Sequence, residues 1–151
     1  RELRLKKALS EVSTDYDYVI IDCPPALSLL TVNGFTAANA VMITMQCEYY
    51  ALEGLRDLVE TIKRIRSSFN KKLQIEGLLR TMYDPRNSLT QQVSDDLEEH
   101  FGDKVYRTVI PRNVRLAEAP SFGLPAVSFD ASSRGALAYL DLAREVMGHN
   151  S

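Results

Sequence analysis

Apolar residues follow two periods along this chain, and segments of the two kinds alternate. Short apolar runs, typical of strands that are buried on both faces, occupy residues 18–21, 40–45, 73–82 and 105–110. Between them, apolar residues recur every three or four positions, as in helices with one buried face. These helices are predicted at 3–12, 26–35, 52–69, 89–101 and 133–147, with Gly102 and Gly148 ending the last two. The alternation predicts an α/β fold in three layers, with a mainly parallel sheet flanked by helices.

The first apolar run ends at a carboxylate. Asp22 follows residues 18–21 directly, and Pro24 and Pro25 come two and three positions later. The branched residues predict a buried strand, which the two prolines prevent from continuing. Ligands of open α/β sheets bind outside the carboxyl ends of the strands. Asp22 therefore stands where a magnesium-nucleotide complex needs a carboxylate, although a strand can also end in a solvated aspartate.

Polar residues also follow the other predicted strands. The loops at the strand ends span residues 23–31, 46–52, 83–88 and 111–120, and a long polar segment continues to Pro125. Right-handed crossovers place such loops at one edge of a parallel sheet. A ligand site is therefore expected along this edge.

Composition and charge are those of a globular protein whose overall charge does not favour nucleic acid. The 151 residues suffice for one domain with a real core, and 45% hydrophobic and 25% charged residues are typical of a soluble globular protein. The net charge is −2, so any nucleic-acid surface must be local. Residues 54–72 do carry six basic and two acidic side chains, a pattern that usually marks a solvated helix face.

Cysteine spacing and hydropathy argue against a disulfide, a cysteine metal site and a membrane span. The two cysteines, Cys23 and Cys47, form no C-x-x-C pair, which favours reduced thiols over a disulfide or a metal site. No apolar run approaches the roughly 18 residues of a membrane span. No signal peptide is visible.

Four longer motifs occur in order along the chain, and the match that rests on them extends over nearly its whole length. They read YDYVIIDCPPALSLLTVNG, QCEYYALEGL, TMYDPRNSLTQQV and TVIPRNVRLAEAPSFGLP. Together they resemble the ParA/Soj family of chromosome- and plasmid-partitioning ATPases, which are deviant Walker P-loop proteins. That family's phosphate loop is missing, because no G-x-x-x-x-G-K-[ST] occurs in these residues. The resemblance therefore implies that residues 1–151 are the C-terminal portion of a single ParA-like, P-loop NTPase-like domain, incomplete at its N-terminal side.

The resemblance assigns nucleotide-related roles to four residues near the first two strand ends. Asp22 matches the Walker B carboxylate, which holds a magnesium ion through a water molecule. Pro24 and Pro25 begin a segment that resembles the switch sensing the γ-phosphate. They also fit a rigid turn before a packed helix, and the two interpretations are compatible. Glu48 matches a position near the nucleotide, and as an acidic residue before a helix it also suits the helix dipole.

Five further residues match positions at the later strand ends. Met82, Pro111 and Asn113 match the adenine pocket, where Met and Pro pack on the purine and the Asn amide meets the base edge. Arg86 and Arg115 match positions that bind DNA without reading its sequence, through guanidinium contacts to phosphate oxygens. Ordinary loop packing is the alternative for the first three.

The family resemblance implies an ATP-dependent molecular switch. With ATP and Mg²⁺, two subunits would form a homodimer that binds non-specific DNA, and a ParB/Spo0J-like partner would stimulate hydrolysis. The protein would be cytoplasmic and nucleoid-associated, and it would not bind a membrane. Since the phosphate loop is missing, this chain alone is expected to be inactive.

Three alternatives stay open. A MinD-like cell-division-site ATPase acting on membrane would carry a basic amphipathic C-terminal helix, whereas this chain ends in VMGHNS. A reductase or metal-cluster carrier on the same scaffold would need paired cysteines. A non-catalytic scaffold fragment would expose a sheet edge able to pair with a second copy.

Overall fold

The computed structural model describes residues 1–24 and 26–150 and divides into two compact units. The first unit contains Arg1–Val41 and Leu55–Glu76, and the second contains Met42–Gly54 and the chain from Gly77 onward. The helices are α1 (Arg4–Ser10), α2 (Leu29–Ala37), α3 (Ala51–Ser68), α4 (Ser88–Phe101), α5 (Val114–Glu118), α6 (Ala126–Phe129) and α7 (Arg134–His149). The strands are β1 (Ala40–Gln46), β2 (Gln74–Tyr83) and β3 (Val105–Pro111).

The first unit is helical. The Leu5 N–H of α1 donates to Asn33 Oδ1 of α2 over 3.3 Å, which joins these two helices. The Ser28 hydroxyl caps α2 by accepting the Thr31 N–H. The long helix α3 confirms the predicted amphipathic stripe, because its buried residues recur at helical spacing. They are Leu55, Ile62 and Ile65.

The sheet has the order β1-β2-β3 and is parallel, which confirms the predicted α/β fold. In the second unit, α7 packs on β3, and the core between them contains Leu79, Tyr106, Ile110 and Leu142. The register pairs Leu78 with Val105 but Arg80 with Val109. Two residues of β2 therefore lie opposite four of β3, and such a β-bulge takes backbone groups out of the ladder.

Arg80 lies in the core and donates a hydrogen bond to a backbone carbonyl of β3 at this bulge. Its side chain is only 5% exposed. Nη2 donates to the Tyr106 carbonyl over 2.7 Å, while Nη1 donates to Ser94 Oγ over 2.8 Å and to Glu98 Oε1 over 2.7 Å. One buried guanidinium thereby joins β2 to β3 and α4.

Glu145 of α7 accepts hydrogen bonds from backbone N–H groups of β3 at the same bulge. Its two carboxylate oxygens accept the N–H groups of Arg107 over 2.6 Å and Thr108 over 3.1 Å. Burial raises the pKa of Glu145, but the hydrogen bonds from Arg107 and Thr108, together with the nearby His149, outweigh burial and leave the pKa below its usual value.

The strand predicted at residues 18–22 is wrong. These residues form neither helix nor strand, and Ile20 is 90% exposed. A strand needs a hydrogen-bonding neighbour, and no strand pairs with this run in the part of the chain that the structure describes.

Two boundaries near the C-terminus also differ from the prediction. The polar segment at 112–125 contains α5 and a 3₁₀ turn, Ala119–Phe122, and α6 follows at once. The last helix continues past Gly148 to His149. Gly102 does end α4, because its φ of +48° is a left-handed conformation that glycine adopts without strain.

Candidate functional site

Three parallel strands end at one edge of the sheet, and most of the predicted site residues follow those ends. β1, β2 and β3 end at Gln46, Tyr83 and Pro111. The Arg112 N–H donates to the Tyr83 carbonyl over 3.2 Å, which joins the starts of the last two loops. Glu48, Met82, Arg86, Asn113 and Arg115 all lie at these ends, in the second unit.

Asp22 and Pro24 belong to the first unit, and Pro25 lies outside the described residues. Exposure alternates around Asp22: Ile21 and Cys23 are half-buried, whereas Asp22 and Pro24 are exposed. The half-buried pair approaches Gly34 of α2 so closely that a Cβ there would lie 2.9 Å from Cys23 Sγ. Burial, and then the Asp22 charge, raise the pKa of the Cys23 thiol.

The chemistry of Asp22 suits one kind of magnesium contact. Mg²⁺ keeps several waters and binds through one or two carboxylates together with phosphate oxygens. A single exposed carboxylate fits that outer role. The described residues contain no group of three or more His, Cys, Asp or Glu side chains placed to enclose a metal.

Met82 has an unusual backbone. Its φ of 51° is the only positive φ of a non-glycine residue in the described part of the chain. A left-handed conformation costs such a residue about 1–2 kcal/mol. Met82 lies between Arg80 and Tyr83, where the register of β2 against β3 shifts. Its side chain is 42% exposed at the strand end, and strain of this kind occurs often at functional sites.

Asn113 has a structural duty besides its predicted one. It caps α5, because its Oδ1 accepts the Arg115 N–H over 3.2 Å. One lone pair of that oxygen is thereby engaged, and Nδ2 is the group best placed to meet an acceptor on a base. Both Asn113 and the neighbouring Pro111 are half-buried.

Arg86 is held by a neighbouring carboxylate while remaining 87% exposed. Nε donates to Asp84 Oδ1 over 3.0 Å, and Nη2 donates to Oδ2 over 3.1 Å. The Arg86 side chain, by these hydrogen bonds, lowers the pKa of Asp84. The next residue, Asn87, caps the 14-residue helix α4 through the Leu89 N–H. A guanidinium thus lies beside a helix N-terminus, and both attract anions.

Arg115 is also paired. Its Nη1 lies 3.2 Å from Glu118 Oε2, and its Nε lies 3.3 Å from Asp130 Oδ2. The side chain is nevertheless half exposed. The two predicted DNA-binding arginines therefore share one arrangement, in which acidic neighbours orient an exposed guanidinium.

Arg112 is a basic residue that the sequence analysis did not select. It is exposed, and its charge contributes to the lowered pKa of Asp84, so it lies near the Arg86–Asp84 pair. Its position between Pro111 and Asn113 was the available signal, because both neighbours were already assigned to a strand end.

The loop after β1 presents Glu48 and two tyrosines. All three are exposed. The Tyr49 and Tyr50 rings meet edge to face with centroids 4.8 Å apart. The Glu48 carbonyl accepts the Ala51 N–H as α3 begins, so the acidic side chain precedes a helix N-terminus.

Comparisons with known proteins find relatives along nearly the whole chain. The family described as AAA domain matches residues 1–75. The chain is 57% identical to sporulation initiation inhibitor protein Soj of Bacillus subtilis, over 97% of this chain and 58% of that protein. It is 56% identical to chromosome partitioning protein ParA of Caulobacter vibrioides, over 97% of this chain and 56% of that protein.

The chain belongs to the ParA/Soj family. It spans a little over half the length of these relatives.

Solved structures share the family's fold. Cobyrinic acid a,c-diamide synthase from Mycobacterium smegmatis, with bound ATP analog and magnesium, has a TM-score of 0.78 and 34% identity, over 98% of this chain and 53% of that one. The cell division ATPase MinD of Pyrococcus furiosus has a TM-score of 0.78 at 22% identity, over 98% of this chain and 59% of that one, a likeness of fold alone. In the described residues of this ParA/Soj chain, no helix is both long and apolar enough to cross a membrane.

Proposed function

We propose that the intact protein is an ATP-dependent DNA-segregation ATPase of chromosome or plasmid partitioning. With ATP and Mg²⁺ it forms a homodimer that binds DNA without sequence preference, and a ParB/Spo0J-like partner stimulates hydrolysis. It works in the cytoplasm on the nucleoid. Residues 1–151 are the C-terminal portion of its single ATPase domain, and this chain alone does not hydrolyse ATP.

The observation that carries this proposal is the basic corner formed by Arg86 and Arg112. Both residues follow the ends of adjacent strands, and the charge of each acts on Asp84. Arg86 also precedes the cap of α4, where helix N–H groups add a partial positive charge. Guanidinium groups and helix N-termini recognise phosphate oxygens without reading bases. The corner therefore suits a nucleic-acid backbone.

The same edge of the sheet supplies groups for the nucleotide base. Met82 and Pro111 offer apolar surface to a purine face, and Asn113 Nδ2 offers a donor to its edge. Glu48 lies near the nucleotide at the end of β1. Asp22 holds a magnesium-bound water, and Pro24 and Pro25 belong to the switch. Magnesium, when bound, draws negative charge from the phosphate oxygens. The residues of this chain supply no phosphate loop.

DNA binding by the intact protein tests the proposal. Fluorescence anisotropy with a random-sequence duplex and magnesium-ATP is measured across a salt series for the parent, Arg86→Glu and Arg115→Glu. Arg107→Glu makes the same charge change on an exposed residue of β3 and is the control. We expect both site variants to lose most binding while ATP binding and the control stay unchanged.

Two results would contradict the proposal. One is a parent that binds no DNA in any nucleotide state; binding to anionic lipid vesicles instead would favour a MinD-like role. The other is DNA binding that survives in both arginine variants. A parallel arm compares ATP hydrolysis by the parent and Asp22→Asn, for which we expect a large loss of rate with the DNA-binding loops intact.

A further inference from the structure

A shallow groove on the first unit is lined by three basic residues and one serine. Its volume is about 400 Å³, and it is lined by Lys63, Arg66, Ser67 and Lys71; we call it the α3 groove. Lys63, Arg66 and Ser67 are spaced at i, i+3 and i+4, so they share one face of α3. Lys71 comes from the turn that follows the helix.

The charge around the α3 groove is not balanced. Residues 54–72 carry six basic and two acidic side chains, a net charge of +4, whereas the whole chain has a net charge of −2. One ion pair occurs in this segment as the structure describes it, between Lys63 Nζ and Glu60 Oε1 at 3.7 Å, and both side chains are exposed. A helix face stabilised by its own ion pairs would show more of them. The excess charge therefore favours an anionic partner.

Hydrogen bonds hold one basic side chain of the α3 groove, Arg66, and the backbone of the turn that follows the helix. Arg66 Nε donates to the Leu73 carbonyl over 2.7 Å, across the turn. Asn70 fixes the turn itself, and its Oδ1 accepts the Lys72 N–H over 3.3 Å. Its Nδ2 donates to the carbonyls of Phe35, Thr36 and Ala38. The turn that carries Lys71 is thus ordered before any ligand arrives, which lowers the entropic cost of binding.

The lining of the α3 groove identifies the class of partner. The apolar face of α3, with Leu55, Ile62 and Ile65, is buried, so this helix has no apolar face for a lipid surface. No aromatic side chain lines the groove, so it offers no platform for unstacked bases. An open groove with three basic side chains suits the regularly spaced phosphates of a duplex backbone.

We propose that the α3 groove is a second DNA-binding surface, which contacts the phosphate backbone through Lys63, Arg66 and Lys71. The inference rests on the proposed function, because it takes DNA as the partner. It uses residues separate from Arg86, Arg112 and Arg115. The contacts carry charge and no base recognition, so they add affinity and salt dependence equally for every sequence.

The test is the salt dependence of DNA binding by the intact protein with magnesium-ATP. Lys63→Ala with Lys71→Ala removes two charges from the groove, and Arg64→Ala with Lys72→Ala removes two exposed charges of the same segment that do not line it. Each lost phosphate contact lowers the slope of log K against log salt by about 0.9. We expect the groove variant to lose roughly 1.8 in slope and about 30-fold in affinity at 0.15 M salt, by that same relation.

The control variant separates a contact from a general charge effect. Its slope should stay that of the parent. Equal losses in the two double variants, or an unchanged slope in the groove variant, would overturn the inference while DNA binding by the parent and its loss in Arg86→Glu uphold the proposed function. A parent that binds no DNA would overturn both. Unchanged thermal midpoints are expected for both double variants, because all four side chains are exposed.

Discussion

Two segments of this chain are both predicted to be buried strands, but they differ completely in structure. Residues 18–21 read Tyr-Val-Ile-Ile and end at Asp22, and the centre of β2 reads Gly-Leu-Leu-Arg and ends near Met82. β2 lies between the other two strands of the sheet, and its residues Leu78 and Leu79 are buried. In the first run, Ile20 is 90% exposed and no ladder forms in the described chain.

The difference lies in the neighbours and not in the residues. β2 has a strand on each side, so its backbone groups are paired and both of its faces are covered. The first run has no such neighbours in the described chain, although Ile21, and Cys23 just after the run, lie beside Gly34 of α2. An apolar run therefore predicts what could be buried, while burial itself depends on what the rest of the fold provides.

The largest expected effect compares matched truncations in the two runs. Leu79→Ala should destabilise the 151-residue chain by about 3–4 kcal/mol, because it removes buried methyl groups from the core. Ile20→Ala should change stability by less than about 0.5 kcal/mol, because its side chain is exposed. Urea unfolding measures both. Equal losses in the two variants would mean that the first run is buried in this chain after all.

The next effect concerns the charge inside β2. Arg80→Ala should cost about 2–3 kcal/mol, because it removes charged hydrogen bonds and leaves the Tyr106 carbonyl buried without that donor. Arg107→Ala, an exposed arginine on the adjacent strand, is the matched control and should be near neutral. Urea unfolding measures the stability of both variants. If Arg80→Ala loses no stability, the guanidinium does not stabilise the bulge.

The carboxylate on the other side of the bulge predicts a pH dependence. Glu145→Gln should destabilise the chain by about 1–2 kcal/mol at neutral pH, because the amide replaces one acceptor oxygen. The native pKa of Glu145 is lowered, so its contribution is present above the usual value of 4.5 and is lost as the pH falls through the native pKa. Stability curves of parent and variant should therefore converge below that value. A gap that stays constant with pH would contradict this.

The smallest effect compares two methionines near strand ends. Met82→Gly should stabilise the chain by about 0.5–1 kcal/mol, because glycine accepts the left-handed backbone. Met45→Gly in β1 should destabilise it by a similar amount, because its backbone is that of an ordinary strand. In the intact protein, Met82→Gly should also weaken ATP binding if Met82 packs on the base. Thermal melts and nucleotide titration measure the two consequences.

Long elements could be predicted from the sequence because their periodicity reflects burial. The stripe Leu55–Ile62–Ile65 located α3, and the runs of β1, β2 and β3 located the sheet. The loops at the sheet edge followed from the strand ends. The loops that carry most of the candidate site residues could therefore be located from the sequence.

Other features depend on tertiary contacts that no local pattern reveals. Helix α5 has five residues, too few for a periodic signal, and a 3₁₀ turn with Pro120 follows it. Arg80 lies within an apolar run and is buried because a bulge in β3 offers it a carbonyl. The φ of Met82 and the ion pair of Arg86 with Asp84 appear only when the chain is folded.

The Arg86–Asp84 pair also determines how much negative charge its corner can accept. Two guanidinium groups, Arg86 and Arg112, act there on one resident carboxylate, so the local sum is a single positive charge. A phosphodiester carries one negative charge and neutralises that sum, whereas a free nucleotide's terminal phosphate brings more. Asp84 thus limits the net positive charge that this corner offers to any phosphate group.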